Sequence, residues 1–411
     1  MANVAQKLRK HFPVELLELL RAAGEEVARR GERLYLVGGG VRDLLLERPS
    51  LDLDLVVEGQ AISLAQELAK AMGWEVVTHP HFGTAKISWG NFHLDLATAR
   101  CETYTRPGAL PTVRPGTIEE DLFRRDFTIN ALAVNLAPAH FGELLDLYGG
   151  KKDLELGLVR VLHELSFQDD PTRILRGIRY EQRLGFRLEE KTEELARRDS
   201  QVLELITGER LWRELELTLE EVQPEKSFLR MADLGVLQRV HVSLDFNGWL
   251  AGKFREARAK GLLNPTLYLG LLASRLSEEE VESLIRRLKP PGWARRAMRE
   301  VPKLRKYLPT LAEASRPSEV CRELEGYREE VIRVLALVAE SAEAKGWLEL
   351  YLSQLRFIMP ELNGEDLKGM GVPPGRKMGR LLAKLKEARL NGEVGSREEE
   401  MDLLQRLLKE S

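Results

Sequence analysis

The chain contains 411 residues, of which 31% are charged and 6% aromatic, and its formal net charge is −3. This length supports several domains, and the slightly negative charge excludes a globally basic protein, so any RNA site must be a local patch. Cys101 and Cys321 are too few for a disulfide scaffold or a zinc site, which fits a reducing, cytoplasmic location. The N-terminal stretch lacks a long apolar run, so we expect neither a signal peptide nor a membrane span.

The first predicted elements are helices and strands in alternation. Apolar residues at helical spacing predict a helix at Pro13–Arg29, and an apolar run predicts a buried strand at Leu34–Val37. The glycines Gly38–Gly40 end this strand, and a short helix is expected at Val41–Leu46. The next segment, Leu51–Val57, alternates leucine with aspartate, as a strand with one buried face does.

Further short strands complete this first region, and a hairpin turn is expected at Trp89-Gly90-Asn91. The predicted segments are a helix at Ala61–Met72 and strands at Trp74–Thr78, Gly83–Ser88 and Phe92–Thr98. From about Leu144 onward helical periodicity takes over. We therefore place the main domain boundary near Asp146–Gly150 and expect a largely helical protein beyond it.

The strand that alternates leucine with aspartate carries a pair of acids. Asp52 and Asp54 are two residues apart, so their side chains share one face. Neighbouring carboxylates repel each other unless a cation lies between them, and Mg²⁺ prefers carboxylate and phosphate oxygens. The glycine turn, at Gly38 and Gly39, lets the backbone approach a triphosphate closely, with Arg42 as a counter-charge. The structural alternative is that the aspartates are solvated and the glycines only form a turn.

Further polar residues follow along the chain. Asp95 alternates with apolar residues on its strand, either as a third carboxylate at the metal or as an exposed edge charge. The stretch RRDFTINAL could hold a ribose hydroxyl and phosphate oxygens, or could be a surface charge cluster. Its polar candidates are Arg124, Arg125, Asp126 and Asn130.

A third stretch, DDPTRILRGIRY, predicts a helix with a charged stripe. Asp170 suits an N-cap and Pro171 suits the first helical position. That structural interpretation leaves the three-residue spacing along the helix unexplained, because such residues follow one stripe. The stripe consists of Asp170, Arg173, Arg176 and Arg179.

Taken together, these motifs resemble those of a known family. GGGVRDLLL followed by DLD resembles the head of the class II nucleotidyltransferases. That family holds the tRNA CCA-adding enzymes, their CC-adding and A-adding relatives, and bacterial poly(A) polymerases. RRDFTINALA and the DPTR stretch resemble two further motifs of the family, whereas Gly40 stands where the family commonly has alanine.

The resemblance implies an α+β fold. A small polymerase-β-like head with a mixed sheet would be followed by a helical neck, body and tail. The expected boundaries are 1–145 for the head, 146–215 for the neck, 216–290 for the body and 291–411 for the tail.

The resemblance also implies roles for the candidate residues. Asp52 and Asp54 would bind Mg²⁺, with Asp95 as a third catalytic candidate. Asp170 and Arg173 would select the base, since a carboxylate accepts from the amino group of C or A and repels the carbonyl oxygen of U or G. The remaining implied nucleotide contacts are Gly38, Gly39, Arg42, Arg124, Arg125, Asp126, Asn130, Arg176 and Arg179.

The long segment Ala99–Gly116 is rich in proline, glycine and arginine and predicts a functional or disordered loop. It resembles the flexible loop that the family links to the switch from adding C to adding A. Its presence is evidence against a purely CC-adding enzyme. Immediately after it, Thr117 and Glu120 have the spacing of a capping box, which predicts a structural role.

The C-terminal half offers candidate tRNA contacts in two basic stretches, one around Pro290-Pro291-Gly292 and one after Pro373-Pro374-Gly375. The second resembles the tail segment of bacterial family members. The structural alternative for such charge runs is a solvated helix face. The candidates for contact with tRNA phosphates are Arg295, Arg296, Arg299, Arg376, Lys377 and Arg380.

The sequence therefore predicts an enzyme that adds CCA, or its terminal A, to tRNA 3′ ends from CTP and ATP without a template. The open alternatives are an A-adding or CC-adding specialist, a poly(A) polymerase, and a non-catalytic RNA-binding protein on the same scaffold. The expected partners are tRNA, CTP and ATP, with no membrane contact, and no obligate protein partner is evident.

Overall fold

A computed structural model describes residues 3–48, 52–89 and 92–409. The chain divides into two compact units. The first runs to Glu214 and includes Arg230–Val240, and the second comprises Leu215–Leu229 and the chain from His241 onward. None of the described helices combines the length and apolar character that crossing a membrane requires.

The first unit is built on a mixed sheet with the strand order β3-β4-β5-β2-β1-β8-β9. Its neighbours pair antiparallel except β2 and β5, which are parallel. The strands of the chain are β1 Arg33–Val37, β2 Asp52–Glu58, β3 Glu75–His79, β4 Thr84–Trp89, β5 Phe92–Thr98, β6 Arg100–Thr103, β7 Thr112–Pro115, β8 Leu132–Asn135, β9 Leu144–Asp146, β10 Leu158–Val159 and β11 Arg187–Leu188. The predicted α+β fold with a mixed sheet is confirmed.

Helices cover the sheet and make up the second unit. They are α1 Ala5–His11, α2 Val14–Arg29, α3 Gly39–Leu45, α4 Ala61–Met72, α5 Ile118–Phe123, α6 Gly150–Leu156, α7 Ser166–Asp169, α8 Thr172–Leu184, α9 Glu190–Asp199, α10 Gly208–Leu219, α11 Pro224–Asp233, α12 Val236–Val240, α13 Gly248–Ala259, α14 Pro265–Ala273, α15 Glu278–Leu288, α16 Gly292–Arg305, α17 Leu308–Glu313, α18 Pro317–Leu324, α19 Glu329–Val338, α20 Ala342–Ser353, α21 Gly364–Gly369, α22 Arg376–Leu390 and α23 Arg397–Lys409. Both Pro-Pro-Gly stretches lie immediately before or at a helix start, α16 and α22.

Burial fixes which face of the sheet each acid occupies. On β2, Leu53 and Leu55 are buried at 1% exposure while Asp54 is exposed. On β5, Leu94 and Leu96 are buried in the same way on either side of an exposed acid. Because successive side chains of a strand alternate between faces, the leucines set the direction of the acids.

The structure changes two of the predicted local elements and confirms a third. The helix expected at Val41 begins at Gly39, so only Gly38 forms the turn, with φ +70°. The expected loop Ala99–Gly116 contains the antiparallel pair β6 and β7, because its ends pair over four residues. The hairpin between β4 and β5 is confirmed, whereas Gly90, Asn91 and Leu51 lie outside the described residues.

The capping box predicted at the start of α5 is present. Glu120 N donates to Thr117 Oγ1, and Glu120 Oε2 accepts from Thr117 N at 3.0 Å. The box begins the helix where it packs on the sheet, since Ile118 and Leu122 join Tyr35 in one buried cluster. The same cluster includes Val56, two residues after Asp54 on β2, so α5 packs on the face of the sheet that carries Asp54.

Gly24 on α2 tests how closely this helix packs on the sheet. A Cβ at Gly24 would lie 2.0 Å from the Leu136 carbonyl oxygen, so we expect Gly24→Ala to force a backbone shift. Overpacking of this kind costs about 1–3 kcal/mol. Thermal unfolding should show a lowered midpoint for this variant.

The matched control is Gly252→Ala on α13, where an added Cβ would contact nothing within 4 Å. This change should be neutral or should stabilise by about 0.5–1 kcal/mol, because alanine loses less conformational entropy in a helix. Equal midpoints for the two variants would contradict the close approach of α2.

Candidate active site

One cavity of about 800 Å³ in the first unit collects most of the predicted site residues. Its walls come from the sheet, from the segment around α5 and from α8 and α10. The predicted residues that line it are Gly38, Gly39, Arg42, Asp54, Asp95, Arg124, Arg125, Asp126, Asn130, Asp170, Arg173 and Arg176. Arg179 is not among the residues that line this cavity, and the side chain of Asp52 lies outside what the structure describes.

The acids of the cavity belong to a row across the sheet. Asp54 on β2 is in register with Asp95 on β5, which is in register with Lys86 on β4. Side chains at directly paired positions lie beside each other on one face. The Lys86 Nζ lies 3.7 Å from Asp95 Oδ2. This arrangement brings together acids that are 41 residues apart in the chain.

The donor chemistry of this row fits a divalent cation. Asp54 and Asp95 are both exposed and line the cavity, and carboxylate oxygens are the ligands that Mg²⁺ prefers. Asp52 begins β2, two residues before Asp54. The described side chains, which do not include that of Asp52, contain no group of three or more acidic, histidine or cysteine residues placed as metal ligands.

The turn at Gly38 holds an arginine close to the backbone. A Cβ at Gly38 would lie 2.6 Å from Arg125 Nη1, the end of a side chain that can shift, so it is the positive φ that favours glycine at this position. Within the described residues, Arg125 donates only to Asp121 Oδ2, at 3.0 Å, and its Nε is buried without a partner. Most of its N–H donors are therefore available to an anionic ligand.

Asp121 was not identified from the sequence, although it anchors both neighbouring arginines. It is fully buried, and its Oδ1 accepts from Arg124 Nε and Nη2 at 3.0 and 2.7 Å. Burial raises the pKa of Asp121, but Arg125 and Arg124 outweigh burial and bring the pKa below its ordinary value. The spacing of three and four residues on a helix was the available signal.

Asp126 links α3, which follows β1, to α8 through a chain of hydrogen bonds. Its Oδ2 accepts from Arg176 Nε and Nη2 at 2.9 and 2.6 Å, and its Oδ1 accepts from Asn130 Nδ2 at 2.9 Å. Asn130 Oδ1 in turn accepts from Arg42 Nη1 at 2.7 Å. Burial raises the pKa of Asp126, but the Arg176 charge and these hydrogen bonds outweigh it, so the pKa lies below its ordinary value.

Asp170 lies just before α8, binds its first residue and is held by an arginine that was not identified from the sequence. Its Oδ1 accepts from Thr172 N at 3.0 Å, Thr172 Oγ1 at 2.6 Å and Arg210 Nη2 at 2.7 Å. The N-cap of α8 is Pro171 rather than the predicted Asp170, because the helix begins at Thr172, but the Asp170 side chain still accepts from the N–H of that first residue. Among the described residues no hydrogen bond reaches its Oδ2, so Asp170 combines a structural role with a free acceptor.

Arg173 and Arg179 occupy different surroundings on the same helix. Arg173 donates to the carbonyl oxygens of Ser166 and Arg124, at 3.3 and 2.6 Å, and lines the cavity. Arg179 is buried and donates to Glu214 Oε2 at 2.9 Å. The stripe predicted from three-residue spacing therefore winds out of the cavity, because three residues turn the helix by less than a full turn.

The tip of the hairpin formed by β6 and β7 is attached near the start of α8. Gly108 N donates to the Gln168 carbonyl oxygen at 2.8 Å, and Arg210 Nη1 donates to the Gly108 carbonyl oxygen at 2.9 Å. Arg210 therefore contacts both the hairpin tip and Asp170. This contact could not be predicted from the sequence, because Gly108 and Arg210 are 102 positions apart.

The candidate RNA-binding residues of the second unit fall into two groups. Arg296 donates to Glu300 and Arg299 to Glu282, so acids balance two of the cations on α16, while Arg295 is exposed. The cations at the start of α22 are exposed, and no ion pair with an acid is found for them among the described residues. They are Arg376, Lys377 and Arg380.

The comparisons with known proteins identify the family. The Poly A polymerase head domain matches residues 34–160, and a family described as a probable RNA- and SrmB-binding site of polymerase A matches residues 185–245. A CC-adding tRNA nucleotidyltransferase of Deinococcus radiodurans is 34% identical over 96% of this chain and 93% of its own length. The chain belongs to the tRNA nucleotidyltransferase family.

Other members of the family carry different names. An A-adding tRNA nucleotidyltransferase of Geobacter sulfurreducens is 36% identical over 98% of this chain, which spans about half, 48%, of that relative. The structure of a Thermotoga maritima CCA-adding enzyme complexed with tRNA matches with a TM-score of 0.81 and 33% identity, over 99% of each chain. The predicted resemblance and the enzyme class are confirmed, and the family suggests use of a divalent metal.

Asp126→Asn tests the link between α3 and α8 in this nucleotidyltransferase. Removing one partner of a buried ion pair costs about 3–5 kcal/mol, so the thermal midpoint at neutral pH should fall. Because the folded pKa of Asp126 is depressed, its contribution is present above the unfolded pKa of about 3.9. It is lost as the pH falls from that value through the folded pKa.

Thermal unfolding across an acid pH series measures both effects. The Asp126→Asn variant should lose less stability than the wild type on acidification through this window. Glu18→Gln, which removes an exposed acid on α2, is the matched control and should follow the wild type. Parallel pH profiles for Asp126→Asn and the wild type would contradict the role of the ionised carboxylate.

Proposed function

We propose that this protein adds nucleotides to the 3′ end of tRNA from CTP and ATP without a nucleic-acid template. The observation that carries the proposal is that Asp54 of β2, Asp95 of β5, Asp170 and Arg173 line one cavity. An acidic row beside a glycine turn suits nucleotidyl transfer, and an acid and an arginine beyond it suit base selection. The domain boundaries stated above remain part of the proposal, as does a cytoplasmic location, where tRNA, CTP and ATP meet.

We propose Mg²⁺ as the metal, held by Asp52 and Asp54 with Asp95 as a third ligand. When bound, divalent ions at such a site activate the attacking hydroxyl and stabilise the charge that develops on the leaving pyrophosphate. The contribution of the protein is the strand register, which sets Asp54 beside Asp95. Burial of the alternating leucines prevents a one-residue slip that would turn the acids away.

The arginines of the cavity have two different roles in this proposal. Arg125 lies against the Gly38 turn with most of its donors available, so we assign it to the phosphates. Arg42 and Arg176 are already paired with acids or with Asn130, so we assign them to holding the cavity in shape. Preorganised donors need no rearrangement when charge develops, which is how they stabilise a transition state.

We assign base selection to Asp170, which lies just before α8, and to Arg173 on that helix. Asp170 Oδ2 accepts no hydrogen bond from the described residues, so it can accept from the amino group of C or A. Arg173 donates to two carbonyl oxygens, which hold its guanidinium in place at the cavity. A carboxylate held in this way repels the carbonyl oxygens of U and G.

The start of α22 is the better supported of the two tRNA surfaces. Arg376, Arg380 and Lys384 are exposed and spaced four residues apart, which places them on one helix face. Two of the three candidate cations of α16, Arg296 and Arg299, are in contrast paired with Glu300 and Glu282. Phosphate contacts require cations that are not already neutralised, so α22 should contribute more to affinity.

Asp54→Asn tests the catalytic proposal. Nucleotide incorporation should be measured on tRNA substrates that end before CCA, after the first C and after the second C, each with CTP and ATP. The wild type should extend them to CCA, or only the last of them if it is an A-adding specialist. Asp54→Asn should abolish turnover and leave tRNA affinity within about twofold, because the acid contacts the metal rather than the RNA backbone.

Wild-type protein that leaves all three substrates unextended, or Asp54→Asn protein with full turnover, would contradict the proposal. Long tails on unstructured RNA would favour a poly(A) polymerase instead. Glu18→Gln is the control for an acid of the same unit that lies outside the cavity.

Asp170→Asn tests base selection. The amide presents a donor as well as an acceptor, so discrimination against UTP and GTP should fall by roughly 10- to 100-fold in kcat/KM, the range of one good base contact. Asp169→Asn is the matched control, since this neighbouring acid does not line the cavity. Unchanged discrimination in the Asp170 variant would refute the role of this acid.

A further inference from the structure

On the same face of the sheet, the cavity continues past the acids to the strands β4 and β3. After Asp54 and Asp95, the same row reaches Lys86 on β4. Thr84 lies two residues before Lys86, on the same face of that strand, and is paired with His79 on β3. Lys86, Thr84 and His79 all line the cavity. The proposed nucleotide contacts account for none of these three residues.

The proposed triphosphate contacts lie on the other side of the acids. Val37, the last residue of β1, is in register with Asp54, and the Gly38 turn with Arg125 against it follows immediately. Neighbouring strands are about 4.8 Å apart, so Lys86 is separated from Asp54 by about 10 Å along the row and from β1 by about 14 Å. The acids therefore separate two cationic regions of one cavity.

The geometry of the reaction assigns different ligands to these two regions. In nucleotidyl transfer the attacking and leaving oxygens stand roughly in line across the phosphorus atom. If the pyrophosphate leaves towards Gly38 and Arg125, the attacking 3′-hydroxyl must approach from the side of β4 and β3. The strand that carries this hydroxyl brings its phosphodiester groups into the region of Lys86.

We propose that Lys86, with Thr84 and His79 beside it, binds the sugar–phosphate backbone at the 3′ end of the RNA substrate and positions its terminal hydroxyl. This inference rests on the proposed function. A lysine ammonium is a compact charge that suits a phosphate oxygen, and hydroxyl and imidazole groups are common additional donors to RNA backbone. Such contacts fix position without reading sequence.

The alternative role for Lys86 is an ion pair with Asp95, and this role explains the lysine less well than a phosphate contact does. Its atoms are 3.7 Å apart, and the side chains are 46% and 54% exposed. Exposed pairs of this kind contribute about 0–1 kcal/mol, so the ammonium can turn to a phosphate at little cost. In that position it would also leave the oxygens of Asp95 available to the metal.

Lys86→Gln tests the assignment through binding as well as turnover. Equilibrium binding of tRNA that ends after the second C should be measured in EDTA over a series of salt concentrations. Loss of one phosphate contact should raise Kd by about 3- to 10-fold and reduce the slope of log K against log salt by about one. In steady-state assays KM for tRNA should rise, while KM for ATP should stay unchanged.

Two further variants sharpen the test. Lys86→Arg keeps the charge and should restore most of the affinity, whereas Lys70→Gln, which removes an exposed lysine of α4 outside the cavity, should bind like the wild type. An unchanged tRNA Kd and salt slope for Lys86→Gln would overturn the inference, as would a raised KM for ATP alone. Wild-type protein that extends no tRNA would instead overturn the proposed function, whatever the binding result.

Discussion

The buried carboxylate of Asp126 is the interaction on which the candidate site depends. It accepts two hydrogen bonds from Arg176 on α8 and one from Asn130, which itself holds Arg42 on α3. A buried charge is tolerated only when it is paired and hydrogen-bonded, so this group cannot exchange partners freely. It therefore ties α8, which carries Arg173, to α3, which begins directly after the Gly38 turn.

The sheet contributes a second constraint, which is its register. Asp54, Asp95 and Lys86 form one row because leucines of β2 and β5, and Ala85 and Ile87 of β4, are buried on the opposite face of their strands. A slip of one residue would move every acid to the wrong face. The stability of the sheet and the placement of the acids thus depend on the same alternation of apolar and acidic residues. When the leucines are buried on one face, the acids face the cavity on the other.

The motifs and the fold class could be predicted because their signals are local. Alternation on β2 placed Asp54 on the polar face, the glycine run predicted the turn, and three-residue spacing placed Asp170 and Arg173 together. The family resemblance then supplied the mixed sheet and the helical remainder. These features depend on neighbouring residues, whose spacing the sequence displays directly.

The division of labour among the arginines could not be predicted, because it depends on partners far away in the chain. Arg176 is engaged by Asp126, which lies 50 residues earlier, and Arg179 is buried against Glu214. Only the structure shows that Arg125 keeps most of its donors. The hairpin within Ala99–Gly116 was missed for a related reason, since its proline- and glycine-rich composition is typical of irregular loops.

Arg210 connects the hairpin of β6 and β7 to Asp170, the acid to which we assign base selection. Its guanidinium donates to the Gly108 carbonyl oxygen and to Asp170, so the position of the hairpin tip and the orientation of that acid share one side chain. The same pair of contacts leaves Asp170 Oδ2 facing no donor among the described residues. Asp170 and the exposed acids Asp54 and Asp95 therefore line one preorganised cavity.

The most direct test of this account is a crystal structure of the protein with Mg²⁺ and a non-hydrolysable ATP analogue. We expect the metal between the oxygens of Asp52 and Asp54, the phosphates against Arg125, and the adenine amino group within hydrogen-bond distance of Asp170 Oδ2. A nucleotide bound with its phosphates away from these acids, or with its base turned away from α8, would contradict it.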